Sequence, residues 1–177
     1  MKKWLAFTLF SFSALLMSCT SVGVDKYAGT TPEFDLFDYF SGELVAHGQF
    51  QSFSGQVRRR FVVDINGEVE GDTLTLTEDF VYDDGEEQTR VWTIKKQGDK
   101  FVGTASDVIG EAVGESSGYT FHWEYDIDLP YKDGTIKVHF DDWMYQQNSR
   151  YLLNRARVTK FGVQVGEVTI FFDKTPS

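Results

Sequence analysis

Residues 119–129 read YTFHWEYDIDL, and apolar and polar side chains alternate through this stretch without a break. One parity holds Tyr119, Phe121, Trp123, Tyr125, Ile127 and Leu129, and the other holds Thr120, His122, Glu124, Asp126 and Asp128. Successive side chains of a β-strand point to opposite faces of a sheet, so a half-buried strand has this pattern. The stretch therefore predicts a strand with one face in a hydrophobic core and the other in water.

The same alternation runs from Glu43 towards the end of the chain, and Gly, Asn-Gly or Asp-Gly interrupts it at short intervals. This punctuation is typical of consecutive antiparallel hairpins. The predicted strands span residues 43–52, 55–66, 69–82, 87–97, 100–108, 111–117, 119–129, 135–146, 150–160 and 163–173. An open meander would leave two unpaired edges, so we predict an all-β fold in which about 8–10 antiparallel strands close into an up-and-down barrel.

Three hairpins allow a prediction of register, because a slip of one residue would turn every apolar side chain towards water. The predicted pairs are Leu129 with Ile136, Gln146 with Arg150, and Tyr82 with Gln88. Each pairing sets apolar residues opposite apolar residues on one face. The hairpin that follows residues 57–65 has two candidate turns, Asn66-Gly67 and Gly71.

The composition suits one globular domain, because 41% of the 177 residues are hydrophobic and 16% are aromatic. The 17 Lys and Arg residues oppose 27 Asp and Glu residues, which gives a net charge of −10. This balance argues against a nucleic-acid partner, since phosphate binding needs a basic surface. The single cysteine, Cys19, excludes an intrachain disulfide and a multi-cysteine zinc site. We predict no cofactor and no metal.

The first 18 residues, MKKWLAFTLFSFSALLMS, have the layout of a secretory signal peptide, with two lysines, a short apolar run and small residues at the end. Residues 16–19, LMSC, resemble a bacterial lipobox. The resemblance implies that Cys19 is acylated and becomes the mature N-terminus, so that acyl chains attach the protein to a membrane. With Thr20 next in the chain, it also implies an outer-membrane lipoprotein that faces the periplasm.

Residues 20–33 are mostly small or polar and lack an apolar period. We therefore predict that residues 19–33 form the lipidated cysteine and a flexible tether, and that residues 34–177 form the barrel domain. An integral outer-membrane barrel is disfavoured, because a lipid anchor would be redundant in it.

Two family resemblances follow from these residues. Residues 34–44, FDLFDYFSGEL, resemble the short turn and first strand of lipocalin-type barrels. The chain from about Phe34 to Phe172 also resembles a proteobacterial lipoprotein family catalogued only as domain of unknown function 3833, which implies a lipoprotein and supplies no established activity. The resembling stretches are residues 40–42 and 46–51, 79–85, 90–92, 107–114, 141–143, 154–155 and 160–162.

Four ionisable residues fall on predicted apolar rows, namely Arg59, Glu78, Arg90 and Asp142. A charge inside a barrel is costly without a partner, so each of them needs a pair or a task. One hypothesis is that Arg59 or Arg90 binds the carboxylate or phosphate of an amphiphile. Aromatic side chains on the same rows would then line the space for its tail, namely Trp92, Trp123 and Tyr125.

The alternative hypothesis is structural. In it, an internal Arg-Glu pair and an Asp142–Asn154 pair at one barrel end satisfy the charges, and side chains fill the interior. On the outward parity, His139 is interpreted as a surface pair with Asp126 rather than as a metal ligand. No serine lies in a nucleophile-elbow pattern, so no catalytic residue is assigned.

We therefore predict a lipoprotein whose barrel binds or carries a hydrophobic or amphiphilic small molecule, such as a fatty acid or another lipid. Two other functions stay open. One is a structural or envelope-maintenance lipoprotein with a filled barrel. The other is a cofactor-free isomerase or hydratase that uses Arg59, Glu78 and Asp142.

Overall fold

The structure, a computed structural model, describes residues 22–131 and 134–174. These residues form ten antiparallel strands in a closed meander, in which each strand pairs with its neighbours in sequence and the first pairs with the last. The elements are α1 (Leu36–Phe40), β1 (Gly42–Ser52), β2 (Val57–Glu70), β3 (Thr73–Tyr82), β4 (Glu87–Gln97), β5 (Lys100–Thr104), β6 (Val108–Ser117), β7 (Thr120–Tyr131), β8 (Gly134–Gln146), β9 (Tyr151–Lys160) and β10 (Val163–Asp173). The predicted all-β barrel is confirmed. Within the described ranges, no helix has the length and apolar character needed to cross a membrane.

The inner face of the barrel carries the core, as the alternation predicts. On β7, Phe121, Trp123 and Tyr125 are buried, while Glu124 and Asp128 on the other parity are exposed. All nine remaining strands also contribute buried apolar residues to this core, including the fully buried Leu74, Ile94 and Leu152. Burial of such side chains from ten strands in one shared interior is the main stabilising contribution to this fold.

One of the three predicted registers is confirmed, and two are wrong by two residues. Leu129 pairs with Ile136. In contrast, Gln88 pairs with Phe80 instead of Tyr82, and Gln146 pairs with Leu152 instead of Arg150. A slip of two residues leaves every side chain on its predicted face, so the alternation of apolar residues cannot detect it.

Hydrogen bonds within the turns set the registers of the two shifted hairpins. In the β3–β4 connection, Tyr82 N donates to Glu86 O at 2.9 Å. In the β8–β9 connection, the Asn148 side-chain oxygen accepts from the backbone N–H groups of Arg150 and Tyr151, both at 2.8 Å. Asn side chains commonly stabilise turns by such local bonds.

The hairpin between β2 and β3 turns at Gly71, and Asn66-Gly67 lies inside β2. Gly67 is needed for a different reason, because the end of α1 packs directly against it. A Cβ atom at position 67 would lie 1.7 Å from the carbonyl oxygen of Phe40. Glycine here permits a close approach of helix and strand rather than a turn.

We expect Gly67→Ala to lower the free energy of unfolding by about 1–3 kcal/mol, because the added methyl group must displace α1 from the barrel. Chemical denaturation of both proteins measures this difference. Gly134→Ala is the matched control, since a Cβ at that strand position meets no atom within 4 Å. Equal stability of the two variants would contradict this account of Gly67.

The N-terminal segment closes one end of the barrel, which we call the floor. Asp35 caps α1 through its side chain, which accepts from Phe37 N and Asp38 N. The buried α1 residue Tyr39 donates its hydroxyl to Arg150 O at 2.8 Å, and Phe34 N donates to Gly118 O at 2.7 Å. These bonds attach α1 to the β6–β7 and β8–β9 connections.

Residues 22–33 differ from the predicted flexible tether. Val24–Tyr27 forms a 3₁₀-helix that packs against β6 and β7, and Val24 is buried. The Tyr27 ring lies 5.5 Å from that of Tyr119, and Thr30 Oγ1 accepts from Tyr119 N. The segment contains too few apolar residues to produce a recognisable period, although Val24 and Tyr27 pack against the barrel. The rest of the predicted signal and tether, residues 1–21, lies outside the described residues.

The opposite end of the barrel, which we call the mouth, is formed by the connections at residues 53–56, 83–86, 105–107 and 161–162. Inward side chains near this end are only half-buried, among them Phe61, Tyr82 and Phe140. Side chains near the mouth are therefore partly accessible to solvent, whereas those near the floor, such as Leu44 and Ile65, are buried.

Candidate functional site

A cluster of three charged side chains lies on the inner wall between the mouth and the floor. Glu78 on β3 and Arg90 on β4 are directly opposite each other, with 3.9 Å between Oε2 and Nη1. Arg90 also donates from Nε and Nη2 to Asp107, at 3.1 and 2.7 Å respectively. The side chains of Glu78, Arg90 and Asp107 are 13%, 16% and 19% exposed. The predicted Glu78–Arg90 contact is therefore present, and both residues face the lumen.

Asp107 was missed by sequence reasoning, because it lies in the β5–β6 connection and not on an alternating row. Its position after a short strand, at the mouth end, is the signal that could have identified it. Asp107 holds one edge of the Arg90 guanidinium. The remaining nitrogen, Nη1, donates no hydrogen bond to any residue that the structure describes.

The environment of this cluster changes the acidity of Glu78. Burial raises the pKa of Glu78 to about 7, although the charge of Arg90 lowers it, and Asp107 adds a further increase. Burial alone would lower the pKa of Arg90, but Glu78 and Asp107 reverse this, and the net direction is upward. Arg90 therefore stays charged, and Glu78 titrates near neutral pH.

A second polar group, deeper in the barrel, centres on Asp142 of β8, which is 5% exposed. Its Oδ2 accepts from Trp123 Nε1 at 3.2 Å and from Tyr125 Oη at 3.0 Å, and its Oδ1 accepts from Asn154 Nδ2. Burial raises the pKa of Asp142, while these three donors oppose the increase. The predicted Asp142–Asn154 contact is present, although Asp142 pairs with Ala156 in the strand register.

The three aromatic residues predicted to line a ligand space, Trp92, Trp123 and Tyr125, pack on one another. The Trp92 ring centroid lies 4.7 Å from that of Trp123 and 5.4 Å from that of Tyr125. All three side chains are buried, and two of them are held by Asp142. They form a solid layer beneath the charged cluster, so any open space lies above them, towards the mouth.

Arg59 lies at the mouth and not beside Arg90. Its guanidinium pairs with Asp84 at 2.9 Å and with Glu86 at 2.6 Å, and it stacks 3.5 Å from the Tyr82 ring centroid. The β3–β4 turn, predicted to be a solvated hairpin tip, thus supplies its partners. The structure thus places Arg59 with the acidic turn at the mouth, whereas Glu78 contacts Arg90 and Asp142 contacts Asn154.

The upper lumen has two chemically different halves. Polar and charged side chains from β3, β4 and the β5–β6 connection form one half, including Tyr82, Gln88, Arg90 and Asp107. The other half, which we call the apolar half, consists of half-buried residues from β1, β2, β7, β8 and β10, namely Phe50, Phe61, Leu129, Ile136, Phe140, Val168 and Ile170. Such a surface can hold a molecule with one polar and one apolar end.

Two outer-face histidines, His122 and His139, contact carboxylates. His139 Nδ1 lies 3.0 Å from Asp126 Oδ1, which agrees with the surface pair predicted from the sequence. His122 Nε2 lies 2.9 Å from Asp141 Oδ1, and their ligand atoms and that of Glu124 lie within 4.8 Å of one another. Arg157 Nη1 lies 3.8 Å from Asp141 Oδ2. Asp141 is thus contacted by His122, Trp143 and Arg157.

The same barrel fold occurs in two solved structures. A protein of unknown function from the DUF3598 family of Nostoc punctiforme is 10% identical, with a TM-score of 0.61, and the match covers 81% of this chain and 50% of that one. This chain therefore spans about half the length of that protein. The S-type phycobiliprotein lyase from Guillardia theta is 12% identical, with a TM-score of 0.59, and the match covers 80% of this chain and 91% of that one. These likenesses show the fold alone.

No functionally curated protein matches this chain. A family model described as "protein of unknown function (DUF3833)" matches residues 13–174, which is most of the sequence. This range contains the charged cluster, the aromatic layer and all ten strands. The chain belongs to this DUF3833 family of proteins of unknown function.

Proposed function

We propose that the barrel binds an amphiphilic small molecule with a carboxylate head, of which a fatty acid is the simplest example. The observation that carries the proposal is the unused donor of Arg90. Asp107 occupies two nitrogens of the guanidinium, while Nη1 is 3.9 Å from Glu78 and makes no hydrogen bond among the described residues. A buried, oriented guanidinium with a spare donor is well suited to a carboxylate.

Glu78 supplies the second contact in this proposal. With a pKa of about 7, it is largely protonated in mildly acidic solution. One ligand oxygen then accepts from Arg90 Nη1, and the other accepts the proton of the Glu78 carboxyl group. Above its pKa, Glu78 is an anion and repels the ligand carboxylate. Binding should therefore weaken as the pH rises through about 7.

The apolar half of the upper lumen would hold the tail. Phe61 and Phe140 belong to this half and are half-buried, so a tail that covers them removes apolar surface from water. The buried layer of Trp92, Trp123 and Tyr125 limits the depth that the ligand can reach. The head would then lie at the level of Arg90, and the tail would extend along the wall towards the mouth.

We also propose that the protein is an outer-membrane lipoprotein that faces the periplasm, and that Cys19 is acylated. This part rests on the signal-like residues 1–18 and on the lipobox-like residues 16–19. Both lie outside the described residues. Because the chain has a net charge of −10, acyl chains rather than overall charge would have to hold it on an anionic membrane.

Titration with cis-parinaric acid, a fluorescent fatty acid, tests the ligand site. We expect the wild-type protein to bind it at mildly acidic pH and Arg90→Gln to bind it about tenfold or more weakly, because a hydrogen bond to a charged group is lost. Arg157→Gln is the matched control. Arg157 is 59% exposed on the outer wall, so its loss should leave binding unchanged.

Glu78→Gln keeps the test decisive if Arg90→Gln folds poorly. The amide can donate to the ligand at any pH, so this variant should retain binding above pH 7, where the wild type loses it. The methyl ester of cis-parinaric acid, which has no charge, should bind more weakly than the acid. Equal binding of acid and ester, or no binding of either, would contradict the proposal, and the second result would favour a filled barrel that acts through its surface.

A further inference from the structure

One side of the mouth exposes a group of apolar side chains to solvent. Phe161 is 95% exposed, Phe53 is 75% exposed and Val163 is 67% exposed. Together with Val57 and Val165, which are also exposed, they form a surface that we call the lip. The residues are neighbours, because the β1–β2 and β9–β10 connections meet where Phe53 N donates to Val165 O at 3.0 Å.

The lip protrudes from the barrel and is not the edge of its core. Phe161 has a φ of 50°, an uncommon backbone conformation for a residue other than glycine, and it holds its ring clear of the wall. Phe53 lies at the tip of the neighbouring hairpin. Contiguous exposed apolar residues on a folded protein mark a surface for a partner or a membrane.

The charges around the lip are unlike those of the rest of the chain. Residues 44–63 and 143–166, which contain both connections, have no Asp or Glu, although the whole chain has 27. Arg58 and Lys160 flank the lip, and neither forms an ion pair with any residue in the described ranges. The next connection around the mouth carries four acids in residues 83–87, and three of them pair with Arg59 and Arg60. The lip is therefore the apolar and weakly basic side of an acidic protein.

We propose that the lip docks on the surface of an anionic phospholipid bilayer. Aromatic rings enter the boundary between head groups and acyl chains, while nearby Lys and Arg side chains contact lipid phosphates. Phe161 with Lys160, whose Nζ lies 5.2 Å from the ring centroid, and Phe53 with Arg58 have this combination. The acidic turn at residues 83–87 would be repelled by the same lipids, so the barrel would tilt with its apolar side towards the membrane.

The lip is also continuous with the interior. Phe50 and Val168, which belong to the apolar half of the lumen, lie on the strands that lead to Phe53 and from Val163. An apolar path thus runs from the rim into the barrel, and an acyl chain could move along it without crossing the acidic turn at residues 83–87. The docking surface goes beyond the proposed ligand site, and its test requires no ligand.

The test places an indole at the lip of the full-length chain. Phe161→Trp is mixed with vesicles that contain brominated phospholipid, which quenches tryptophan only on contact with the acyl region. Val91→Trp is the matched control, because Val91 is 44% exposed on the outer wall of β4. With phosphatidylglycerol present, we expect quenching of the Phe161→Trp indole to exceed that of the control by about twofold or more. With phosphatidylcholine alone, we expect a smaller excess.

Both variants carry the same four native tryptophans, so the excess quenching at position 161 over position 91 reports on the added indole, and attachment through residues 1–21 affects both variants alike. Lys160→Glu in the Phe161→Trp background should reduce the excess quenching, and added salt should do the same. Equal quenching at positions 161 and 91 would overturn the proposal. Burial of the Phe161→Trp indole at high protein concentration without vesicles would also overturn the proposal, because the lip would then be a contact between two copies of the chain.

Discussion

Replacing Asp142 with alanine is expected to lower the free energy of unfolding by about 3–5 kcal/mol. The carboxylate accepts hydrogen bonds from three side chains, namely Trp123, Tyr125 and Asn154, and it is 5% exposed. Truncation would leave the Trp123 and Tyr125 donors in a dry interior without an acceptor. Water can replace the lost oxygen atoms only by entering the packed layer between Trp92 and the floor.

Denaturant unfolding followed by tryptophan fluorescence measures this loss. Asp142→Asn should fall between the wild type and Asp142→Ala, because the amide oxygen still accepts one of the bonds. Asp64→Ala is the matched control, since Asp64 lies exposed on the outer face of β2 and should change stability by about 0.5 kcal/mol or less. If Asp142→Ala were as stable as Asp64→Ala, the hydrogen bonds of Asp142 would make no net contribution to stability.

The contribution of Glu78 to the free energy of unfolding is expected to fall as the pH rises from about 4.5 to about 7. Burial raises the pKa of Glu78 from an ordinary 4.5 to about 7 in the folded chain. Below pH 4.5 the group is protonated in both states and has no effect. Between these values only the unfolded state loses the proton, so folding becomes less favourable, by up to about 3 kcal/mol once the pH exceeds 7.

Glu78→Gln isolates this contribution. The wild type and the variant should differ most in their response between about pH 5 and pH 8, where the free energy of unfolding should decline in the wild type and change much less in the variant. Other groups that face Glu78, namely Arg90, Asp107 and Asp142, are present in both proteins and largely cancel in the comparison. Parallel pH profiles for the two proteins would show that Glu78 titrates as an exposed carboxylate does.

The alternation of side chains was sufficient to predict the barrel and the face of each residue, as the burial of Phe121, Trp123 and Tyr125 demonstrates. It could not set every register. The β7–β8 pairing was predicted correctly, whereas β3–β4 and β8–β9 are shifted by two residues. The shift depends on side-chain hydrogen bonds in the turns, such as those of Asn148, and no periodic signal encodes them.

The candidate site was predicted only in part, because contacts between distant segments decide it. Glu78 and Arg90 were identified as inward charges from their own strands. Asp107, the strongest partner of Arg90, lies in a loop that the closed barrel brings alongside β4. Arg59 satisfied the same parity rule as Arg90, yet its position near the strand end gives it the acidic turn as a partner. The two arginines differ in their depth along the barrel axis, and the alternation of side chains does not predict depth.

The chain enters the barrel at the end that α1 seals, on the far side from the opening. Strands of this length, at roughly 3.3 Å per residue and inclined to the axis, separate the two ends by about 30 Å. If residues before Val22 attached the protein to a membrane, the attachment would act on the end of the barrel that α1 closes. At this end, Phe34 and Tyr39 are hydrogen-bonded to the turns. With this attachment, the mouth of the barrel would face away from the membrane. The protein could then contact one surface at the floor and a second surface at the mouth.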